Sequence, residues 1–75
     1  MSDQRYLPYD DDLRSQLDVL QEECAEVIVA VSKLKRFGDR SVDRMTGVHY
    51  NNRDDLYAEM ADLADAWARV QRVLS

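Results

Sequence analysis

The chain has 75 residues, a formal net charge of −5, 33% charged residues and a single cysteine, Cys24. A chain of this length forms one domain, and its acidic balance argues against a protein that binds nucleic-acid polymers through their phosphates. The lone thiol excludes an internal disulfide. Together with an acidic start and no apolar run long enough to span a bilayer, it predicts a soluble, cytoplasmic protein.

The first long element that the sequence predicts is a helix over about residues 11–36. Residues 1–10 show no apolar period and are expected to form an irregular arm. Apolar residues then recur at alternating steps of four and three, which is the spacing of one face of a helix. Acidic residues 10–12 favour the helix start, and Gly38 favours its end. The apolar row comprises Leu13, Leu17, Leu20, Cys24, Val27, Val31 and Leu34.

A loop and a second helix are predicted to follow. Residues 37–52 hold both glycines and no sustained period, so we expect a loop with one short helical turn near residues 42–45 and no strand. The second helix is predicted over about residues 53–74, with Asn52 as its N-cap. Its apolar row comprises Leu56, Met60, Leu63, Trp67, Val70 and Leu74.

Two long helices with a connection of this length predict an all-α fold in which the helices pack as an antiparallel pair. Cys24 and Trp67 belong to the apolar rows, so both are expected to be buried. One pair would leave flanking residues such as Ile28 and Val73 partly exposed to water. We therefore expect the chain to assemble into a four-helix bundle as a homodimer or homotetramer.

The two helices carry the same short motif, L-x-x-E-φ-A-[E/D]-φ, at residues 20–27 and 56–63. With the leucines at heptad position d, the first acid of each motif falls at g and the second at c. Because equivalent rows meet when two helices pack antiparallel, the acids should converge on one side of the pair. The predicted cluster comprises Glu23, Glu26, Glu59 and Asp62.

Clustered carboxylates either raise one another's pKa or bind cations. Ligand sets made only of oxygen suit Mg²⁺, with Mn²⁺ as the second choice, so the spacing predicts a magnesium site. Lys33 lies seven residues beyond Glu26, or about 10 Å along the helix axis, where it could hold a phosphate bound to the metal. The alternative is that these acids are simply solvated.

Residues 22–27 followed by residues 59–62 resemble the EExxE…ExxD signature of the MazG-like all-α nucleoside triphosphate pyrophosphohydrolases, particularly the compact, phage-type members. The segment 32–38, and Asn52 seven residues before Glu59, are also similar to that family. The resemblance covers about residues 17–74. The loop between the motifs is longer than in many members, and the chain is shorter than their usual four-helix protomer.

The resemblance implies a homo-oligomeric enzyme that uses Mg²⁺ to cleave a nucleoside triphosphate between its α and β phosphates, which releases a monophosphate and pyrophosphate. It implies that the four clustered acids are metal ligands. Glu22, or a ligand such as Glu23, would orient the attacking water. The residues expected to bind the substrate are Lys33, Lys35 and Arg36 at the phosphates, with Asn52 and Phe37 elsewhere on the nucleotide.

Two other hypotheses remain open at this point. In the first, the chain is a non-catalytic helical module that dimerises and binds a protein, and its acids only keep it in solution. In the second, the metal is structural and no reaction takes place.

Overall fold

The computed structural model describes residues 11–75, so the predicted arm over residues 1–10 lies outside the described part. Helix α1 spans Asp11–Phe37 and helix α2 spans Asn52–Leu74. Strands β1, Arg40–Val42, and β2, His49–Asn51, form a two-stranded antiparallel hairpin between them. Helices account for 77% of the described residues, which confirms the mainly helical prediction.

The connection contains strands, so the prediction of a loop without strands is wrong: Ser41 pairs with Tyr50, and Val42 pairs with His49. One helical turn does lie between the strands, one or two residues beyond the predicted place, because the backbone N–H of Gly47 donates to the Asp43 carbonyl at 2.7 Å. The backbone N–H of Asp43 donates to the Val48 carbonyl at 2.9 Å, and its Oδ1 accepts hydrogen bonds from two backbone N–H groups of the turn. Strands of three residues are too short to produce a recognisable alternation of apolar and polar residues.

Asn51, and not Asn52, caps α2. The Asn51 side chain accepts a hydrogen bond from the backbone N–H of Asp54 at 3.0 Å. Asn52 is the first helical residue and is only 1% exposed. Its Nδ2 donates to the Gly38 carbonyl and to Ser41 Oγ, at 3.0 Å each. Asn52 therefore fastens the end of α1 and the hairpin to the start of α2. Gly38, at φ +75°, ends α1 as predicted.

The two helices pack through heptad rows d and g, whereas rows a and d were expected. Ala30 and Ala66, both at g, are 6% and 3% exposed, and Val70, at d, is 1% exposed. Alanine at these positions lets the helix backbones approach each other closely. As a result, row a turns towards solvent: Cys24 is exposed and Trp67 is 48% exposed. The predicted burial of these two residues does not occur within the single chain.

Because the helices pack through rows d and g, the two sides of the helix pair differ in character. Row c, which carries Glu26, Lys33 and Asp62, lies on one side of the interface. Rows a and e lie on the other side and form an apolar flank that is left open in the single chain. Neither helix over residues 11–75 combines the length and apolarity that a membrane span requires. The apolar flank comprises Cys24, Ile28, Val31, Met60 and Trp67, of which Ile28 is 65% exposed.

Candidate metal centre

Three glutamates converge where the two helices face each other. Glu23 and Glu26 of α1 and Glu59 of α2 each present a carboxylate oxygen, and these oxygens lie within 4.8 Å of one another. Glu23 and Glu59 occupy equivalent g positions and are half-buried in the interface, while Glu26 lies at its exposed edge. The structure thus brings together three of the four predicted ligands. Asp62 lies outside this group, although its charge acts on both half-buried members.

The proximity of these acids alters their acidity. Burial raises the pKa of Glu23, and the negative charges of Glu26, Asp62 and Glu22 raise it further. A hydrogen bond with Glu26 is the main cause that raises the pKa of Glu59, followed by burial and by the charges of the neighbouring acids. Glu23 and Glu59 therefore hold protons more readily than isolated glutamates do. A cation that replaced those protons would relieve the same repulsion.

One oxygen of each half-buried glutamate lacks a hydrogen-bond partner among residues 11–75. These oxygens are Glu23 Oε2 and Glu59 Oε2, and both are buried. A buried acceptor without a partner is costly, and the cost is removed when a donor or a cation reaches it. Three carboxylates also match the hard, oxygen-only ligand set of Mg²⁺ or Mn²⁺, and they leave coordination positions for water and phosphate oxygens. The residues present therefore fit a divalent ion.

A cleft of about 420 Å³ opens beside the glutamates. Glu26, Glu59, Lys33 and Asp55 all line it. The helices run antiparallel, as predicted, because Asn52 at the start of α2 is hydrogen-bonded to Gly38 at the end of α1, while Glu59, further along α2, meets Glu26, further back along α1. The cleft therefore combines a candidate cation site with the ammonium group of Lys33. The remaining lining residues are Ala25, Val29 and Ala30.

A second pocket, of about 290 Å³, lies between the end of α1 and the hairpin. Lys33 lines both the cleft and this pocket, and its Nζ lies 5.3 Å from the centre of the Tyr50 ring, at the range of a cation–π interaction. The pocket is lined by Lys33, Phe37, Ser41, Val42, Asp43, Tyr50 and Asn52.

The other predicted site residues are more dispersed. Glu22 is exposed and outside the group of three glutamates, although its charge raises the pKa of Glu23. Lys35 and Arg36 line neither the cleft nor the second pocket, and the Arg36 guanidinium lies 5.4 Å from the centre of the Phe37 ring. Phe37 and Asn52 both line the second pocket.

Sequence reasoning missed several residues at these two sites. Asp55 lines the cleft, and the signal for it was present, because it precedes Glu59 by four residues and so shares its helix face. Ser41 and Asp43 line the second pocket only because the hairpin folds back on α1. No periodicity marks them in the sequence.

No protein-family model, curated protein or solved structure matches this chain. The likeness to the MazG-like family accordingly depends on the residues that carry it, above all the two acidic motifs. The three-glutamate cluster is a separate observation, because it comes from the geometry of the helix pair.

Proposed function

We propose that this chain is a Mg²⁺-dependent nucleotide pyrophosphohydrolase, which hydrolyses a (deoxy)nucleoside triphosphate to the monophosphate and pyrophosphate. The observation that carries the proposal is the convergence of three carboxylates from two helices beside a cleft that also presents Lys33. A triphosphate needs its negative charge offset on several oxygens at once. A divalent ion on the acids and the Lys33 ammonium group that lines the same cleft meet that need.

In this proposal each residue has a distinct role. Glu23, Glu26 and Glu59 hold the cation, and the charge of Asp62 strengthens their attraction for it. A bound divalent ion supplies Lewis acidity and lowers the pKa of a water. Glu23, with its unpartnered buried oxygen, is better placed than the exposed Glu22 to orient that water. The water oxygen bonds to the α phosphorus and its proton passes to solvent, while the bond to the bridging oxygen breaks and pyrophosphate leaves. Lys33 binds the phosphate oxygens.

The proposal includes self-association. The apolar flank lies on the side of the helix pair opposite Glu26 and Lys33, so a second copy of the chain could cover it without blocking the acidic cleft. Two such pairs would form a four-helix bundle, as a homodimer or as half of a homotetramer. A non-catalytic dimerisation module would use the same flank, so only turnover separates it from the enzyme.

The deciding experiment is a screen of ribo- and deoxynucleoside triphosphates in Mg²⁺ with detection of released pyrophosphate. Wild type should release pyrophosphate from at least one nucleotide and stop when EDTA is added. Glu59→Gln removes a ligand charge and should lower the rate by more than the roughly 10–100-fold that outer-shell partners of a metal contribute. Asp18→Asn, at an exposed position on α1, is the charge-matched control and should retain the rate.

Two results would contradict the proposal. If wild type released no pyrophosphate from any nucleotide, the enzyme hypothesis would fail. If Mg²⁺ raised the melting temperature strongly and no turnover accompanied it, a purely structural metal would be the better explanation.

A further inference from the structure

The second pocket has the size and walls of a site for one ring system. Its volume of about 290 Å³ is at the lower limit of ligand pockets, which hold whole drug-sized molecules from roughly 300 Å³ upward. Tyr50 and Phe37 supply aromatic walls, and Val42 adds an aliphatic one. Aromatic side chains stack on nucleobases irrespective of sequence, because every base has a π face. A base alone, without its phosphates, would fill this space.

The position of the pocket connects it to the acidic cleft. Lys33 lines both, and its ammonium group lies over the Tyr50 ring. A triphosphate held at the three glutamates and Lys33 would therefore direct the remainder of the nucleotide towards the hairpin. This step depends on the proposed function, since it requires the phosphates to occupy the cleft.

Asp43 and Asn52 have no side-chain hydrogen left to donate in this pocket, whereas the Ser41 hydroxyl and the Lys33 ammonium group keep theirs. Asp43 Oδ1 is used by the backbone N–H groups of Met45 and Thr46, whereas Oδ2 accepts no hydrogen bond from residues 11–75. Both hydrogens of the Asn52 amide are used, one by the Gly38 carbonyl and one by Ser41 Oγ. The Gly38 carbonyl can only accept a hydrogen bond, so the Asn52 amide cannot be flipped to exchange its nitrogen and oxygen. Oδ1 is therefore the only hydrogen-bonding atom of the Asn52 side chain that is not already used.

From these features we infer that the pocket selects a nucleobase whose exocyclic amino group stands where uracil and hypoxanthine carry a carbonyl, namely cytosine or adenine, and that Asp43 Oδ2 accepts the hydrogen bond from that group. Uracil, thymine and hypoxanthine present a carbonyl oxygen where cytosine and adenine carry their amino group. A carboxylate repels that oxygen. Asp43 is a specificity-determining residue in this inference, and Tyr50 is the stacking platform.

The test compares nucleotides that differ only in this group: dCTP with dUTP, and dATP with dITP. Wild type should favour the amino member of each pair in kcat/KM by roughly tenfold or more, because a hydrogen bond to a charged group is stronger than a neutral one. Asp43→Asn keeps one oxygen for the turn and replaces Oδ2 by an NH₂ donor. It should abolish the preference or reverse it towards the oxo member, while Asp18→Asn leaves it unchanged.

A second variant keeps the inference testable if Asp43→Asn does not fold. Tyr50→Leu removes the ring and leaves the turn intact, so KM should rise by about fivefold or more for both members of a pair. An unchanged KM would place the base elsewhere. Equal use of amino and oxo members by wild type, or an undiminished preference in Asp43→Asn, would overturn the inference while hydrolysis continued. If wild type hydrolysed no nucleotide, the proposed function would fail first and this inference with it.

Discussion

Replacing Glu59 by glutamine should have opposite effects on the metal-free and the metal-loaded protein. The pKa of Glu59 is raised above its ordinary value of 4.5 by its hydrogen bond with Glu26 and by burial. Between 4.5 and the raised pKa, the folded chain therefore binds more protons than the unfolded chain. Stability consequently falls as the pH rises through this window and stays lower above it. Glutamine keeps the shape of the side chain and carries no charge, so in EDTA near neutral pH Glu59→Gln should melt at a higher temperature than wild type.

Magnesium should reverse that order. An ion that binds only the folded state stabilises it by RT ln(1 + [L]/Kd), and a domain of this size responds to each kcal/mol with a change of several degrees in Tm. At ten times the dissociation constant, Mg²⁺ should raise the Tm of wild type by about 6–11 °C. Glu59→Gln loses one of three clustered ligands, and its Tm should change much less.

The assay is a series of thermal melts at about pH 4, 6 and 8, in EDTA and in Mg²⁺, at one fixed protein concentration. Near pH 4 the two proteins should melt at similar temperatures in EDTA, because this pH lies below both the ordinary and the raised pKa of Glu59, which is then mostly protonated in the folded and the unfolded chain. Asp18→Asn is the control and should respond to Mg²⁺ as wild type does. The reasoning is refuted if Mg²⁺ leaves the Tm of wild type unchanged and Glu59→Gln melts below wild type in EDTA at the highest pH.

Three further predictions concern the framework of the site. Val70 is 1% exposed, so Val70→Ala should lower the free energy of unfolding by about 1.5–3 kcal/mol in a denaturant titration, whereas Val48→Ala, at 45% exposure, should change it by less than about 0.5 kcal/mol. Asn52→Ala removes both hydrogen bonds from its amide and should cost about 1–3 kcal/mol in the same titration; an unchanged midpoint would contradict its fastening role. Trp67→Glu places a charge on the apolar flank and should yield monomers in analytical ultracentrifugation, and oligomers of unchanged mass would place the interface elsewhere.

Apolar spacing predicted the two helices closely, since each carries several turns of regular steps. The prediction of a helix over about residues 11–36 differs from Asp11–Phe37 by one residue at its end. The hairpin could not be found in the same way. Its strands have three residues each, and they are held by hydrogen bonds of the Asp43 and Asn52 side chains with groups elsewhere in the connection and at the end of α1.

The acidic site was only partly predictable, because steps of four and three do not specify which two rows meet. A d row can pair with row a or with row g, and both choices give the same spacing in the sequence. The alanines at g decide the matter, since Ala30 and Ala66 are small enough to be buried between the helices. That choice carries Glu23 and Glu59 into the interface and leaves Asp62 outside the group of three.

The acid and the alanine of each helix stand in the same row, seven residues apart: Glu23 with Ala30 in α1, and Glu59 with Ala66 in α2. One added or deleted residue between them would turn the rest of the helix by about 100°, so either the ligand or the close-packed alanine would lose its place. The seven-residue spacing keeps the glutamate and the alanine on the same helix face, so an insertion or deletion between them is not tolerated. The turn over residues 43–48 is under no such constraint, and its length can vary without disturbing the glutamates.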